Sequence, residues 1–191
     1  MRAIRLAALL LACASLPLAA QQGGGPTAYF DTGPDVLQRA PDFSLPWADS
    51  AGVGQGAEWF SLTAHRGQVV VLLFYPKDFT KTCTSEMQSM TAQFDSLFPA
   101  GVTVVGINAD SLETHARFAA SLGLRFRLLS DLDQSVSKKY GSADQGGYNR
   151  RTVYVVGKNG DVAWRETQFR ALDPKSYKAL RKAVAEALKA K

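Results

Sequence analysis

Residues 69–86 read VVVLLFYPKDFTKTCTSE. The first six form a continuous apolar run, which is typical of a β-strand buried on both faces of a sheet. A polar turn with Pro76 follows, and from residue 82 to residue 98 apolar residues recur at helical spacing. The sequence therefore predicts a buried strand, a turn and a helix that carries Cys83 in its first turn.

Strands and helices alternate along the rest of the chain as well. We expect strands at 102–107 and 126–129, helices at 113–122 and 134–140, a hairpin of strands at 152–156 and 161–165, and a final helix at 175–189. Asp131 and Asp133 precede the helix at 134 and are suited to begin it. Asn159 and Gly160 supply the positive φ that the hairpin turn needs. This order predicts an α/β fold with a central mixed β-sheet and helices on both faces.

The composition is that of an ordinary globular protein with one domain. The chain has 191 residues, of which 46% are hydrophobic and 20% charged, enough to bury a core without metals or cross-links. Its 22 Lys and Arg residues are scattered among 17 Asp and Glu residues, for a net charge of +5. Because no run of basic residues forms a continuous patch, we do not expect a nucleic-acid partner.

The first twenty residues have the pattern of a secretory signal peptide. Arg2 and Arg5 are followed by an apolar stretch that is too short for a membrane span, and small residues precede Gln21. We expect cleavage after Ala20, a flexible Gly- and Pro-rich linker over 21–36, and a folded domain over 37–191. This order predicts export across the inner membrane to the periplasm.

An alternative for the N-terminus depends on Cys13. The residues before it, Leu-Leu-Ala, resemble a bacterial lipoprotein signal, in which Cys13 would be lipidated and become the mature N-terminus. Only in that case would the protein be stably anchored to a membrane. With either signal, Cys83 is the one other cysteine of the chain. An unpaired thiol is unusual in an oxidising compartment, where secreted proteins generally pair their cysteines.

Cys83 is the strongest candidate for chemistry. In the first turn of a helix, unpaired backbone N–H groups and the positive end of the helix dipole stabilise an anion, and cysteine thiols in such places have a lowered pKa. Thr80 could donate its hydroxyl to the sulfur or to a bound oxygen, and Pro76 could shield the sulfur without offering a competing donor. A lone cysteine is more often buried and inert. The pattern Pro-x-x-x-Thr-x-x-Cys between a buried strand and a helix favours the reactive thiol.

At these residues the sequence resembles the peroxiredoxins, in particular the group that includes bacterioferritin-comigratory protein and peroxiredoxin Q. The resemblance spans about residues 37–190, nearly all of the predicted mature domain. Four blocks match in order: APDFSL at 40–45, Arg66-Gly67 followed by the strand at 69–75, the motif of Pro76, Thr80 and Cys83, and RTVYVV at 151–156.

The resemblance implies a thioredoxin-like fold and an antioxidant thiol peroxidase that needs neither a metal nor an organic cofactor. Cys83 would attack the terminal oxygen of hydrogen peroxide or an organic hydroperoxide, forming a sulfenic acid and releasing water or an alcohol. Thr80 would orient the peroxide, Pro76 would shield the sulfur, and Arg151 would stabilise the thiolate and the reacting oxygens.

The sequence leaves two points open, which arginine reaches Cys83 and what role Glu86 has. Adjacent strand residues point to opposite faces, so only one of Arg150 and Arg151 can reach Cys83. The spacing from the turn at Gly157 favours Arg151. Glu86 resembles an acidic residue of the family that would orient the arginine, but an exposed carboxylate at the start of a helix is an equally good interpretation.

The sequence departs from the group at one position. Many members carry a resolving cysteine five residues after the first, where this chain has Gln88, and no cysteine follows Cys83. We therefore predict a one-cysteine mechanism, with a thioredoxin-like protein or a small thiol as external reductant. The alternative function is an extracytoplasmic thioredoxin-like thiol–disulfide oxidoreductase. Such proteins need Cys-x-x-Cys, and Thr80 occupies the place of the first cysteine.

Two further expectations concern metals and assembly. His65 and His115 have no second ligand at zinc-like spacing, so we predict no metal site. The oligomeric state stays open between monomer and homodimer, because folds of this kind support both.

Overall fold

The structure is a computed structural model that describes residues 32–54 and 59–190. The predicted signal peptide, Cys13 and most of the predicted linker lie outside the described residues. The strands of this part are β1 (Ser44–Leu45), β2 (Trp47–Asp49), β3 (Gly52–Val53), β4 (Phe60–Ser61), β5 (Val69–Phe74), β6 (Val102–Asn108), β7 (Arg127–Ser130), β8 (Thr152–Val156) and β9 (Val162–Glu166). The helices are α1 (Lys81–Ala92), α2 (Phe94–Leu97), α3 (Leu112–Leu122), α4 (Ser135–Lys139) and α5 (Pro174–Lys189).

A mixed sheet forms the centre of the described domain, in the order β3-β2-β7-β6-β5-β8-β9. Strands β5, β6 and β7 are parallel to one another, and β8 runs antiparallel to β5. All six residues of β5 are buried, as its continuous apolar run predicts. The predicted α/β fold with a central mixed sheet is confirmed.

The two faces of the sheet bury different partners. Val71 and Leu73 of β5 face a core that contains residues of α1, α3 and α5. Val70 and Leu72 alternate with them and face a second core, formed with α4 and with the small β1–β4 pair. Helices therefore cover both faces, as predicted.

The structure differs from the predicted elements in two places. One helix is predicted from residue 82 to residue 98, but α1 ends at Ala92 and α2 begins at Phe94, with the backbone bent at Gln93. The break lies beside a cluster of aromatic rings, in which Phe94 packs against Phe98 and Phe126. The strands β1 to β4 are not predicted, since two or three residues are too few to show an alternating pattern.

Contacts of the domain begin before the predicted boundary at residue 37. The Arg165 guanidinium donates to the carbonyl oxygens of Gly33 and Pro34, each at 3.3 Å. It also forms an ion pair with Asp35. Residues 33–35, assigned by sequence to the end of the linker, therefore lie against β9. Within the described residues, no helix combines the length and apolarity needed to cross a bilayer.

The turn that leads into α1 lies at one edge of the sheet. The carboxyl ends of the parallel strands β5, β6 and β7 meet there. Thr152, the first residue of β8, pairs with Phe74, the last residue of β5. Arg151 therefore lies at the same edge as the turn that leads into α1, an edge where α/β proteins commonly bind ligands.

Candidate active site

Cys83 is the third residue of α1 and is fully buried. Thr80 is the N-cap residue with an extended backbone, and the Thr84 amide closes the first helical bond to the Thr80 carbonyl at 2.8 Å. The amides of the three residues between them, including Cys83, have no carbonyl to bind within the helix. The sulfur thus lies among backbone donors at the positive end of the helix dipole, where an anion is stabilised.

Arg151 links the cysteine to a carboxylate. Its Nη2 lies 3.2 Å from Cys83 Sγ, and its Nη1 donates to Glu86 Oε2, also at 3.2 Å. The Arg151 side chain is 17% exposed, while that of Glu86 is 1% exposed. One guanidinium edge is therefore fixed by a buried carboxylate while the other donor is directed at the sulfur.

Strand alternation explains why Arg151 reaches the sulfur. Val153 and Val155 face the same core as Cys83, and Arg151 continues this face one step before β8 begins. Arg150 instead donates to the Gly141 carbonyl at 3.4 Å. Of the two arginines considered from the sequence, Arg151 is therefore the one that contacts Cys83.

Glu86 is buried, so its interpretation as an exposed carboxylate is wrong. Burial raises the pKa of Glu86 to about 7, and the positive charge of Arg151 offsets only part of that increase. The pKa of this carboxyl group therefore lies closer to neutral pH than that of an ordinary glutamate.

Thr80 and Pro76 occupy the turn that precedes α1. The Thr80 hydroxyl is exposed and donates to the Lys77 carbonyl at 3.2 Å, so its proton is directed into the turn instead of toward the sulfur. Its oxygen retains lone pairs that can accept from a peroxide O–H group. Pro76 is half-buried. The structure brings Cys83, Arg151 and Glu86 into direct contact, and it places Thr80 and Pro76 in the adjoining turn.

Sequence reasoning missed a second polar group beside this site. Asp78 lies between Pro76 and Thr80 and is buried, with its carboxylate 2.8 Å from Nδ1 of His115. From the sequence alone, His115 is a candidate only for a metal ligand. The sequence signal that could have identified this group is Asp78 itself, a charged residue inside the motif of Pro76, Thr80 and Cys83. Among the described residues, no three His, Cys, Asp or Glu side chains are grouped so that they could hold a metal ion.

Replacement of Glu86 by glutamine is expected to change how stability depends on pH. The pKa of Glu86 rises from 4.5 to about 7 on folding, so the folded state holds this proton more tightly. The contribution of Glu86 to the free energy of unfolding is therefore largest below pH 4.5, falls as the pH rises, and levels off above pH 7. Relative to wild type, Glu86→Gln should gain about 3 kcal/mol between these limits in chemical denaturation.

Glu186→Gln on the exposed surface of α5 provides the matched control for this experiment. Its free energy of unfolding should follow that of wild type across the same pH range. A difference between wild type and Glu86→Gln that stays constant from pH 4.5 to pH 8 would show that burial does not raise the pKa of this group.

The sequence is similar to that of known peroxiredoxins. The AhpC/TSA family model matches residues 36–165. A putative peroxiredoxin bcp of Coxiella burnetii is 35% identical over 136 residues, which cover 68% of this chain and 85% of that protein. The peroxiredoxin Bcp of Escherichia coli is 41% identical over 102 residues, which cover 53% of this chain and 61% of that protein.

Solved structures agree with the sequence comparisons. The bacterioferritin comigratory protein of Xanthomonas campestris matches with a TM-score of 0.67 and 26% identity, covering 80% of this chain and 99% of that one. A reduced 2-Cys peroxiredoxin of Plasmodium vivax matches with a TM-score of 0.68 and 26% identity, covering 79% of this chain and 81% of that one.

Proposed function

The chain belongs to the AhpC/TSA family, within its Bcp and peroxiredoxin Q group, and we propose that it reduces hydroperoxides at Cys83 by a one-cysteine mechanism. The protein is a thiol peroxidase with a thioredoxin-like fold. The observation that carries the proposed mechanism is the 3.2 Å contact between Arg151 Nη2 and Cys83 Sγ. The contact puts a permanent cation beside a sulfur that lies at a helix N-terminus.

The reaction proposed at this sulfur is a displacement on oxygen. The Cys83 thiolate attacks the terminal oxygen of the hydroperoxide, a sulfur–oxygen bond forms, and the O–O bond breaks. The sulfur is oxidised to a sulfenic acid, and the leaving oxygen takes a proton and departs as water or an alcohol. The Arg151 guanidinium and the free amides at the start of α1 lie where negative charge passes from sulfur to oxygen.

The adjoining turn supplies the remaining roles. We assign Thr80 to accept a hydrogen bond from the peroxide, and Pro76 to limit the access of water to the sulfur. The Xanthomonas campestris relative is described by its alkyl peroxide reduction activity. Organic hydroperoxides together with hydrogen peroxide are therefore the substrates that we propose for this chain.

Regeneration of the enzyme is proposed to need an external thiol. Gln88 of α1 stands where a resolving cysteine is expected, and no cysteine follows Cys83 in the sequence. An incoming thiol attacks the sulfenic sulfur, which releases water and leaves a mixed disulfide. A second thiol then releases Cys83 in its reduced form. A thioredoxin-like protein or a small thiol fits this sequence of steps.

Mass spectrometry of the oxidised protein tests the one-cysteine mechanism. After peroxide treatment and addition of a small thiol, we expect a mixed disulfide at Cys83 that disappears with excess thiol or with a thioredoxin system. The mature chain should form no internal disulfide. Stable regeneration of Cys83 without any added thiol would contradict the mechanism.

Export to the periplasm is also a proposal, supported by the signal-like pattern of residues 1–20. The mass of the protein isolated from its native cell envelope tests it. A mature chain that starts at Gln21 supports cleavage after Ala20, and a lipid on Cys13 supports the lipoprotein alternative. A chain that retains its first residue contradicts both.

A further inference from the structure

We propose that Asp78 and His115 form a buried carboxylate–imidazolium pair that positions the active-site loop, defined as residues 75–80. Neither residue contacts Cys83, so both are positioning residues whose role rests on the proposed peroxidase mechanism. The loop carries Pro76 and Thr80 between β5 and α1. Its geometry therefore determines where a peroxide can sit relative to the sulfur.

Asp78 is the centre of the network. Its Oδ1 accepts hydrogen bonds from Tyr75 Oη at 2.6 Å and from Asn108 Nδ2 at 3.1 Å. Its Oδ2 lies 2.8 Å from His115 Nδ1. All four residues are buried. The Tyr75 hydroxyl and the Asn108 amide both donate to Oδ1, an arrangement that favours a carboxylate at Asp78.

The partners of His115 determine its protonation state. Nδ1 faces the Asp78 carboxylate, and Nε2 lies 3.2 Å from the Leu129 carbonyl oxygen. A carboxylate and a carbonyl can only accept hydrogen bonds, so each ring nitrogen must donate. A neutral imidazole has one N–H group, whereas the imidazolium has two. With Asp78 ionised, the positive form is the one that satisfies both contacts in a fully buried side chain.

The surrounding charges also favour a cation at this position. Asp110 Oδ2 accepts from the Asp78 amide at 2.7 Å and from Asn108 Nδ2 at 3.1 Å. The carboxyl groups of Asp78 and Asp110 therefore both accept from the side-chain amide of Asn108. The other titratable group is the Tyr75 hydroxyl, whose pKa burial raises well above its usual value, so it stays neutral and donates to Asp78. Without a charge on His115, the two carboxylates would have no cation among these contacts.

The network joins the loop to several elements of the fold. Asn108 ends β6, Leu129 lies in β7 and His115 lies in α3. The next residue of the loop also contacts α3, because the Phe79 ring packs edge-on against Phe118 with ring centres 5.0 Å apart. Phe79 has a left-handed backbone with φ of 56°, a conformation that a non-glycine residue keeps only where its surroundings impose it. The Asp78–His115 pair supplies such a constraint.

Nitrogen NMR of labelled histidine tests the protonation state in the wild-type protein. At pH 7 we expect the chemical shifts of both His115 ring nitrogens to be those of protonated imidazolium. In Asp78→Asn, His115 should change to a neutral ring at the same pH. A neutral His115 in wild type, with its proton on Asp78 or elsewhere, would overturn the proposal. This measurement does not depend on peroxidase activity.

Kinetics of His115→Gln test the positioning role. We expect the second-order rate constant for peroxide to fall by up to about 100-fold, the loss that small misplacements near a reacting group can produce. The pH at which the wild-type rate falls should match the pH at which NMR shows that His115 loses its proton, and this decline should be absent from the variant. His65→Gln is the matched control, because His65 lies beyond the opposite end of β5, where its ring hydrogen-bonds the Ser61 carbonyl and stacks on Phe60.

The outcomes separate this proposal from the proposed function. Peroxidase activity in wild type that is lost in Cys83→Ser supports the function whatever His115 does. Equal rate constants in His115→Gln and His65→Gln, measured on folded protein, would overturn the positioning role alone. If His115→Gln does not fold, the wild-type NMR result and the Asp78→Asn comparison still decide the protonation claim.

Discussion

Replacement of Cys83 by serine is expected to abolish hydroperoxide reduction. Serine keeps the size and the helix N-terminal position of the side chain, but its hydroxyl does not ionise near neutral pH and it cannot form a sulfenic acid. The chain has no later cysteine to substitute for it. The rate constant should fall by more than about 10⁴-fold, as when the nucleophile of a covalent enzyme is removed.

Peroxide consumption with a small thiol as reductant measures this loss. Ser85→Ala is the matched control, because Ser85 lies in the same turn of α1 and its hydroxyl donates to the Lys81 carbonyl at 3.1 Å, away from the sulfur of Cys83. It should retain the wild-type rate within about twofold. Turnover in Cys83→Ser that equals that of Ser85→Ala would remove Cys83 from the mechanism.

Replacement of Arg151 by glutamine is expected to lower the peroxide rate constant by about 10²–10³-fold, the usual effect of removing a donor from developing charge. The substitution deletes both the donor to Cys83 Sγ and the partner of Glu86. Because the pKa of Glu86 is about 7, this carboxyl group can take up a proton when its partner is lost. The stability cost should therefore be smaller at pH 6 than at pH 8.

Arg150→Gln and Arg151→Lys are the controls for that experiment. Arg150 precedes Arg151 in the chain but binds the Gly141 carbonyl, so its loss should leave the rate constant within a few-fold of wild type. Lysine keeps the charge but not the two-sided donor geometry, so Arg151→Lys should be intermediate. Equal losses in Arg150→Gln and Arg151→Gln would show that the contact with Cys83 has no special role.

Local patterns in the sequence were sufficient for most of the fold. The apolar run of β5 is buried throughout, and Gly160 has the positive φ that the hairpin turn requires, although the prediction of a positive φ at Asn159 is wrong. Asp131 accepts from the Val136 and Ser137 amides, as expected of a residue that begins a helix. These features depend on neighbours within a few residues, so the sequence shows them directly.

Features that depend on distant neighbours could not be predicted. The burial of Glu86 results from its contact with Arg151, 65 residues along the chain. Asp78 and His115 are separated by 37 residues and meet only because α3 packs beside the loop after β5. The spacing from the turn at Gly157 favoured Arg151 over Arg150, and the contact of Arg151 with Cys83 depends on the register of β8 against β5.

In the proposed mechanism, a hydroperoxide transfers one oxygen atom to the sulfur of Cys83. Peptide mass spectrometry after one equivalent of hydroperoxide, with a sulfenic acid trap present, tests it most directly. We expect the trap to label Cys83 and one molecule of alcohol or water to form per labelled site. An unlabelled Cys83, with the added oxygen found on the buried Met87 or Met90 of the same helix, would contradict it.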